Sequence, residues 1–452
     1  MQFELTREFI DELRDIITQD DKKSAQQKIK NLHPADITEI IRELDPDEAR
    51  YLYDLLDNET SADVLVEMDE NEREKFIQEM PVDILVEKVI DNMESDDAAD
   101  FLSELSEDKQ EEVLHRIRDV DQAGDIADLL SYDENTAGGL MAKELVKVDQ
   151  EWDIAKCIRE IRRQAREVNE FYHVYVVDVD NKLKGIVSLK KLLIGKPSTV
   201  IKNIVNADII SVKTDTPSDE VANIMKKYDI VSLPVVDAVD RLAGRITIDD
   251  IVDVIQEEAE KDYQLVSGIT EAVEQTDNIF VRTRARLPWL VIGLTGGILG
   301  SRVIRMHEAD LKISPEMAFF FPLIGAMGGN AGVQSSSIVV QGMAAGTIDL
   351  QGMAGKLLKE FFVALINGTI LSGLIFSYNL LFSDSFELTL TVSIALFSVI
   401  IFASLFGTFV PITLKKMGVD PALATGPFIT TVNDIIGLTI YLSLGRLLYG
   451  IM

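Results

Sequence analysis

The sequence predicts a multidomain chain: an all-α acidic superhelical N domain, an α/β tandem repeat, a connecting helix, and an α-helical membrane domain with five transmembrane helices. Three observations predict this. At 452 residues the chain is long enough for about three domains. Its acidic residues crowd into the first two thirds, while its last third carries long apolar stretches. Between the two, one segment repeats itself at a fixed offset.

Over the whole chain 44 Lys and Arg stand against 76 Asp and Glu, a net charge of −32. That balance argues against a nucleic-acid partner, because phosphate binding needs a basic face. The single cysteine, Cys157, excludes an internal disulfide and a secreted disulfide scaffold. His33, His115, His173 and His307 are too scattered for a zinc site. A hydrophobic share of 47% excludes low-complexity disorder. Residues 281–452 hold 11 basic and 9 acidic residues, whereas the first 280 hold 33 and 67. The opening MQFELTREF has no signal-peptide core, which predicts a cytoplasmic acidic part.

Residues 1–134 read as the acidic helical N domain. Within 31–118, the segments LHPADITEIIREL, LDPDEARYLYDLL, ETSADVLVEM, DENEREKFIQEM and SDDAADFLSEL each place an acid, Ser or Pro ahead of an apolar face. Leucines recurring at a period of roughly 13 to 25 residues predict a superhelix. Most of its acids are solubilising charge. Two clusters stand apart: Asp96, Asp97 and Asp100 within one turn, and Asp249, Asp250, Asp253, Glu257 and Glu258 at three- and four-residue spacing. Like charges at such spacing destabilise a helix by about 0.2–0.5 kcal/mol per pair, and apposed acidic faces repel unless cations lie between them. This pattern predicts a divalent sensor whose domains close on cation and part without it.

The middle of the chain is a repeat. VYVVDVDNKLKGIVSLKKLL begins at Val174 and LPVVDAVDRLAGRITIDDIV at Leu233, so that Val176-Val177-Asp178 aligns with Val235-Val236-Asp237 and Gly185 with Gly244, 59 residues on. Each unit reads as strand, turn, strand and helix, preceded by an amphipathic helix over 153–164 or 219–228. The pair resembles tandem cystathionine-β-synthase-type (CBS) domains, with limits 135–202 and 203–260. The resemblance implies a regulatory module of a kind that often binds adenine nucleotides, so ATP is a candidate regulatory ligand. The cleft acids would be Asp249 or Asp250, where the first repeat offers Lys190 and Lys191; neither GxGxxG nor GxxxxGK[ST] is present. Residues 261–284 read as a charged connecting helix leading to the membrane.

Residues 285–452 form the membrane domain. Five stretches, roughly 287–304, 316–343, 357–382, 388–414 and 422–449, are long enough to cross a bilayer, which takes about 20 apolar residues. Arg282, Arg284, Arg286, Lys356, Lys359, Lys415 and Lys416 fall on one side of the expected spans. Arg302, Arg305, Lys312 and Arg446 fall on the other, with the acidic loop SDSFE. The bias predicts a cytoplasmic N-terminus and an external C-terminus.

Two spans depart from a lipid-facing composition: PLIGAMGGNAGVQSSS in the second and DPALATGPFITTVNDIIG in the fifth. Polar or irregular backbone at that depth must meet protein or a water-filled cavity. Asp434 is the one acid well inside a span. A carboxylate there costs at least ~2.5–3.5 kcal/mol on insertion scales, so it faces a pore or a partner. The alternatives are an interhelical hydrogen bond and a cation site. The nearby polar set, Asp434, Asn433, Asn330, Thr430, Thr431 and Gln334, consists of hard ligands, unsuited to soft transition metals. One carboxylate per chain is too few to strip water from Mg²⁺, whereas two Asp434 side chains in a dimer would flank one hydrated ion. Composition leaves Mg²⁺, Ca²⁺, Mn²⁺ and Na⁺ open.

On PLIGAMGGNAGVQ, GVDPALATGPFITTVNDIIGL and the order of domains, nearly the full chain resembles the MgtE family of Mg²⁺ transporters and channels. The resemblance implies an inner-membrane homodimer with one pore lined by spans two and five. Asp434 would be the selectivity carboxylate, with Asn330 and the Gly328–Gly329 backbone lining the pore nearby. Asp420 would be the acid that meets the connecting helices in the closed state. The cytosolic sensor acids would be Asp96, Asp100, Asp215, Asp250, Asp253 and Glu258. Pro217, Lys226 and Lys227 replace sensor acids or alter their surroundings, and Gly426 stands where some relatives carry Asn. The expected function is a Mg²⁺-selective channel closed by cytosolic Mg²⁺. One alternative is a secondary carrier exchanging Mg²⁺ for H⁺ or Na⁺, with Asp434 as proton relay. Another is a membrane enzyme or receptor, which the lack of a nucleophile–base pair in the spans disfavours.

Overall fold

The computed structural model describes residues 3–68, 72–73, 76–77, 80–166, 168, 171–270, 273, 278–344, 352–383, 385–424 and 426–448. Most of DENEREKFIQEM, part of the expected connecting helix, Asp384 of the SDSFE loop and Tyr449 lie outside the described residues. The chain divides into two compact units, Met1–Gln256 and Glu257–Met452.

The first unit begins with short helices: α1 (Arg7–Thr18), α2 (Lys22–Ile29), α3 (Pro34–Arg42), α4 (Pro46–Asp54), α5 (Asn58–Val66), α6 (Val82–Lys88), α7 (Ser95–Ser103), α8 (Glu107–Arg116) and α9 (Val120–Leu129). Their starts follow from local chemistry. The side chains of Thr6, Asp21, Asp57 and Asp119 accept hydrogen bonds from first-turn amides. Asp45 and Glu48 form a reciprocal capping box, and Pro34 and Pro46 occupy first-turn positions that need no amide proton. Leu13, Ile40, Leu52, Leu65 and Phe101 are buried and open a core that continues into the second repeat through Leu233, Ile246 and Ile251.

The repeats are built as β1 (Val146–Asp149), α10 (Ile154–Gln164), β2 (Val174–Val177), β3 (Leu183–Val187) and α11 (Leu189–Ile194), then β4 (Val212–Lys213), α12 (Ser218–Tyr228), β5 (Ser232–Val236), β6 (Leu242–Thr247) and α13 (Ile248–Val266). Each unit therefore opens with a strand ahead of its amphipathic helix, an element the sequence reading does not assign. In both sheets the first strand runs parallel to the second and the second antiparallel to the third. Val176 pairs with Gly185 and Val235 with Gly244, and both hairpins shift register at the next residue. The 59-residue offset thus extends to the irregularity itself. Cys157 lies in a separate small core of the first repeat with Val148, Val176 and Val187.

The expected connecting helix over 261–284 differs. Residues 261–266 complete α13, whose 19 residues run without a break from Ile248. A turn follows at Gly268, where φ is +83°, and the next described helix begins at Ile279. Glycine tolerates that left-handed conformation and so ends the helix.

The second unit contains α14 (Ile279–Met306), α15 (Glu308–Ile313), α16 (Phe321–Ala344), α17 (Met353–Phe382), α18 (Phe386–Lys416) and α19 (Gly426–Leu448). Among the described residues α14, α17, α18 and α19 are long and apolar enough to cross a membrane. At 24 residues α16 has the length, about 36 Å at 1.5 Å per residue. Its Asn330, Gln334 and three consecutive serines break the apolar run. It packs mainly against α18 and α19. The α18 helix lies centrally, with Val392, Leu396, Val399 and Ala403 buried.

Candidate cation sites

In the first unit the acids converge through specific hydrogen bonds. At the start of α7 the Ser95 hydroxyl donates to Glu144 Oε2 at 2.8 Å and its amide to Glu144 Oε1 at 3.1 Å. The Lys143 amide donates to Ser95 Oγ at 3.0 Å, which fixes the segment ahead of β1 against α7. Arg245 of β6, buried, pairs with Glu94 at 3.1 Å. One carboxylate oxygen from each of Glu94, Asp96 and Glu144 then lies within 4.8 Å of the others. In the first turn of α13, Asp250 Oδ2 accepts from the Thr247 amide at 2.9 Å and hydroxyl at 2.6 Å. Hard oxygens gathered this way suit Mg²⁺ or Ca²⁺.

Burial sets the electrostatics. It pushes Asp96 well above the usual carboxylate range, with Asp97 and Asp250 adding like charge. Asp97 is pushed up to about 7 by burial and then by Asp250, Asp100 and Glu94, against the opposing pull of Arg73. Asp100 is also pushed up to about 7, by burial and by Glu134, Asp250 and Glu104, with Arg73 again opposing. Glu94 and Asp250 are raised too, burial leading in each. Without a cation, these groups hold their arrangement best when protonated. Because the folded values exceed the unfolded ones, the stabilisation is complete below about pH 4 and is lost as pH rises through about 7. Asp100 is exposed and screened by solvent, so Asp97 carries most of the effect: we therefore expect residues 1–256 in chelator to lose about 1–2 kcal/mol of unfolding free energy between pH 5 and pH 8. Urea titrations at the two pH values measure this; equal stabilities would contradict the raised carboxyl of Asp97.

In the second unit Asp434 lies half-buried in α19. A methyl group on Gly325 or Gly329 of α16 would sit 3.4 or 3.8 Å from its Oδ1. Its neighbour Asn433 is buried and donates from Nδ2 to the Gly328 carbonyl at 3.3 Å. That seat exists because Gly332 has no Cβ, which would collide with the Asn433 amide.

The Asp420 carboxylate accepts from the Ala422 amide at 2.8 Å, opening the 3-10 turn Pro421–Ala424. It faces the end of α13: burial and then the Asp420 charge raise Asp262, and Lys261 is bridged to Glu258 at 3.0 Å. Leu265 and Val266 pack with Ala422 and Val340. At the start of α19, Gly426 has φ +45° and accommodates the Val266 carbonyl, which any Cβ would strike.

Of the sequence-predicted residues, Asp96, Asp100 and Asp250 are brought into one neighbourhood. Asp253 and Asp215 are exposed. Glu258 forms an ion pair within α13. Asn330 is exposed and lines a cavity with Gln334, whereas Asp434 lies against the glycines of α16. Sequence reasoning missed Glu94 and Glu144. Glu94 adjoins the Asp96 cluster and was within reach of a local search; Glu144 carries no local signal.

An acidic helical domain fused to a paired α/β repeat and a many-helix apolar unit defines a polytopic membrane protein with large soluble domains ahead of its membrane part. Family models place it further: "divalent cation transporter" matches 321–444, "MgtE intracellular N domain" matches 32–135, and "CBS domain" matches 137–195 and 201–257. The magnesium transporter MgtE of Thermus thermophilus is 32% identical over 96% of this chain and 97% of its own length. The magnesium transporter MgtE of Enterococcus faecalis is 32% identical over 72% of each chain. A crystal structure of the cytosolic domain of the Mg²⁺ channel MgtE in complex with ATP matches with a TM-score of 0.51 at 29% identity, covering 54% of this chain and 99% of that one. The chain belongs to the MgtE family of magnesium transporters.

Proposed function

We propose that this chain forms a Mg²⁺-selective channel of the inner membrane, closed by cytosolic Mg²⁺. In this reading an acidic superhelical N domain (1–134), CBS domains (135–202 and 203–260) and the segment 261–284 lie in the cytoplasm. Five spans, α16 included, cross the bilayer to an external C-terminus. Two chains pair around one pore, and two Asp434 carboxylates hold the ion through its water shell, since Mg²⁺ keeps several waters. The Gly328–Gly329 backbone lines the pore nearby, with Asn330 as the expected further pore residue; within one chain its side chain borders the cavity between α16, α17 and α18. Asp96, Asp100, Asp215, Asp250, Asp253 and Glu258 supply the sensor, and Asp420 receives the regulatory helix in the closed state. The ATP-bound cytosolic domain of the matched Mg²⁺ channel supports ATP as a regulatory ligand of the CBS pair here.

The observation that carries the reading is the course of α13. Its first turn holds Asp250 and its last turn meets the entry of the helix bearing Asp434. Both ends belong to one continuous 19-residue helix, which is thus the covalent path from the proposed sensing acids to the membrane domain. Buried carboxylates that want protons at neutral pH accept Mg²⁺ instead, so cation binding favours the compact state, and losing the cation shifts the population away from it.

The test is current through the purified protein in liposome patches, with Mg²⁺ the sole permeant cation and the cytosolic side titrated. Discrete openings that disappear as cytosolic Mg²⁺ rises are expected. Tracer flux driven by a pH or Na⁺ gradient without unitary currents would place an exchange carrier first.

A further inference from the structure

A cavity of about 720 Å³ lies in the membrane unit between α16, α17 and α18, apart from the Asp434 contact. One end is polar. Lys356, Lys359 and Glu360 of α17 meet Gln334 and Ser335 of α16 there. The Ser335 hydroxyl donates to Glu360 Oε1 at 2.6 Å, which occupies one oxygen of the acid. The ammonium nitrogen of Lys356 is shut off from solvent yet makes no hydrogen bond among the described residues. A buried ammonium with no partner is costly and calls for an anion. With two lysines and one carboxylate, the end of the cavity carries a net positive charge.

Away from the lysines the lining is mainly apolar, with Val363, Ile370 and Leu371 of α17 and Met327 of α16, interrupted by Asn330 and Asn367. A smaller apolar pocket shares Met327 and Leu371 and continues along Leu374 and Tyr378. Val363, Ile370, Leu374 and Tyr378, at seven- and four-residue spacing on one face of α17, remain exposed. From Lys356 to Leu371 the helix rises about 22 Å, which equals half the thickness of a bilayer including its headgroups, about 40–45 Å in all.

We propose that this cavity is a binding site for one phospholipid of the cytoplasmic leaflet, its anionic phosphate on Lys356 and Lys359 and an acyl chain along Val363, Ile370 and Leu374. Charge at one end, hydrocarbon beyond it and a length matched to one leaflet fit a lipid better than a free anion or a soluble ligand. Basic pockets between membrane helices near the cytoplasmic face recognise headgroups in this way. The inference rests on the membrane placement of α16 and α17 and is independent of the ion the protein conducts.

Native mass spectrometry of the full chain in detergent, titrated with phosphatidylglycerol, tests it. The wild-type chain is expected to retain one tightly held phosphatidylglycerol. Lys356→Gln with Lys359→Gln should weaken that binding about 30-fold, from roughly 1 kcal/mol for each basic residue. Lys356→Arg should preserve it, and Ile370→Trp, which fills the apolar end, should weaken it while leaving both lysines in place. Inorganic phosphate serves as the second arm. Displacement of the lipid by phosphate at comparable concentration, or indifference to Ile370→Trp, would identify a plain anion site and overturn the proposal. Undiminished retention in the double variant would overturn it as well, as would loss of lipid only on dimer formation, which would mark the cavity as a surface between two copies.

Discussion

Asp434→Ala is expected to reduce Mg²⁺ flux by about 100-fold, the ratio for the upper part of the ~1.5–3 kcal/mol that a charge-assisted hydrogen bond to the ion's water shell supplies. The expectation concerns charge rather than packing. Asp434 is half-buried against Gly325 and Gly329, where a methyl side chain fits without displacing a neighbour. Asn433, which anchors α19 to the Gly328 carbonyl, is untouched by the substitution. Asp434→Asn keeps the shape and removes only the charge, so it should be nearly as impaired. Radiotracer or dye-reported Mg²⁺ uptake into proteoliposomes measures both variants, with the melting temperature as a check on folding. Wild-type uptake in either would remove Asp434 from the conduction path.

The second large effect belongs to the cytosolic acids. Replacing Asp96 and Asp100 together by Ala should flatten the dependence of open probability on cytosolic Mg²⁺, moving any residual threshold by at least tenfold. The two substitutions remove the buried Asp96 carboxyl, which burial raises, and its exposed neighbour Asp100, and with them, in the proposed mechanism, both the repulsion that parts the domains and the oxygens that bind the cation. A companion measurement separates sensing from conduction. Mg²⁺ at 100 times its dissociation constant stabilises a one-site protein by about 2.7 kcal/mol. The wild-type chain should show an increase of that size in chelator-reversible unfolding, and the double variant should not. A variant that keeps both the wild-type threshold and the stabilisation would defeat the sensor reading while leaving the pore reading intact.

What was legible in the sequence was local or strictly repeated. Proline and acid at helix starts announced α3, α4 and α5, because capping involves residues three or four apart. The offset linking Val176 to Val235 gave matching strand pairs and even the same register shift. The opening strands β1 and β4 stayed hidden because both are short and pair with partners about 20 residues or more away, so no period marks them. Glu144 was illegible for a related reason: its approach to Ser95 spans 49 residues and depends on how α7 packs on the segment before β1. Glycine at 268 was a visible stop signal that the charged run around it outweighed, and a single connecting helix was expected where the chain turns. The separation of Asn330 from Asp434 has a simpler origin. Gly328 and Gly329 face α19, and the next residue along a helix is turned by about 100°, which carries Asn330 off that face.

The composition of α16 also bears on how the protein is made. In the five-span reading this helix leaves the ribosome before α18 and α19, the two partners on which it packs. Its Asn330, Gln334, Gln341 and serines make it a poor candidate for release into lipid by itself, since insertion is decided by the summed transfer free energy of the emerging segment. The Asn433 amide that grips the Gly328 carbonyl is synthesised about a hundred residues later. The second span must therefore wait beside the translocation machinery, or enter only loosely, until the end of the chain arrives to claim it. Assembly of this helix against α18 and α19 is then a late, concerted event, and a nascent chain arrested before α19 should leave α16 extractable from the membrane.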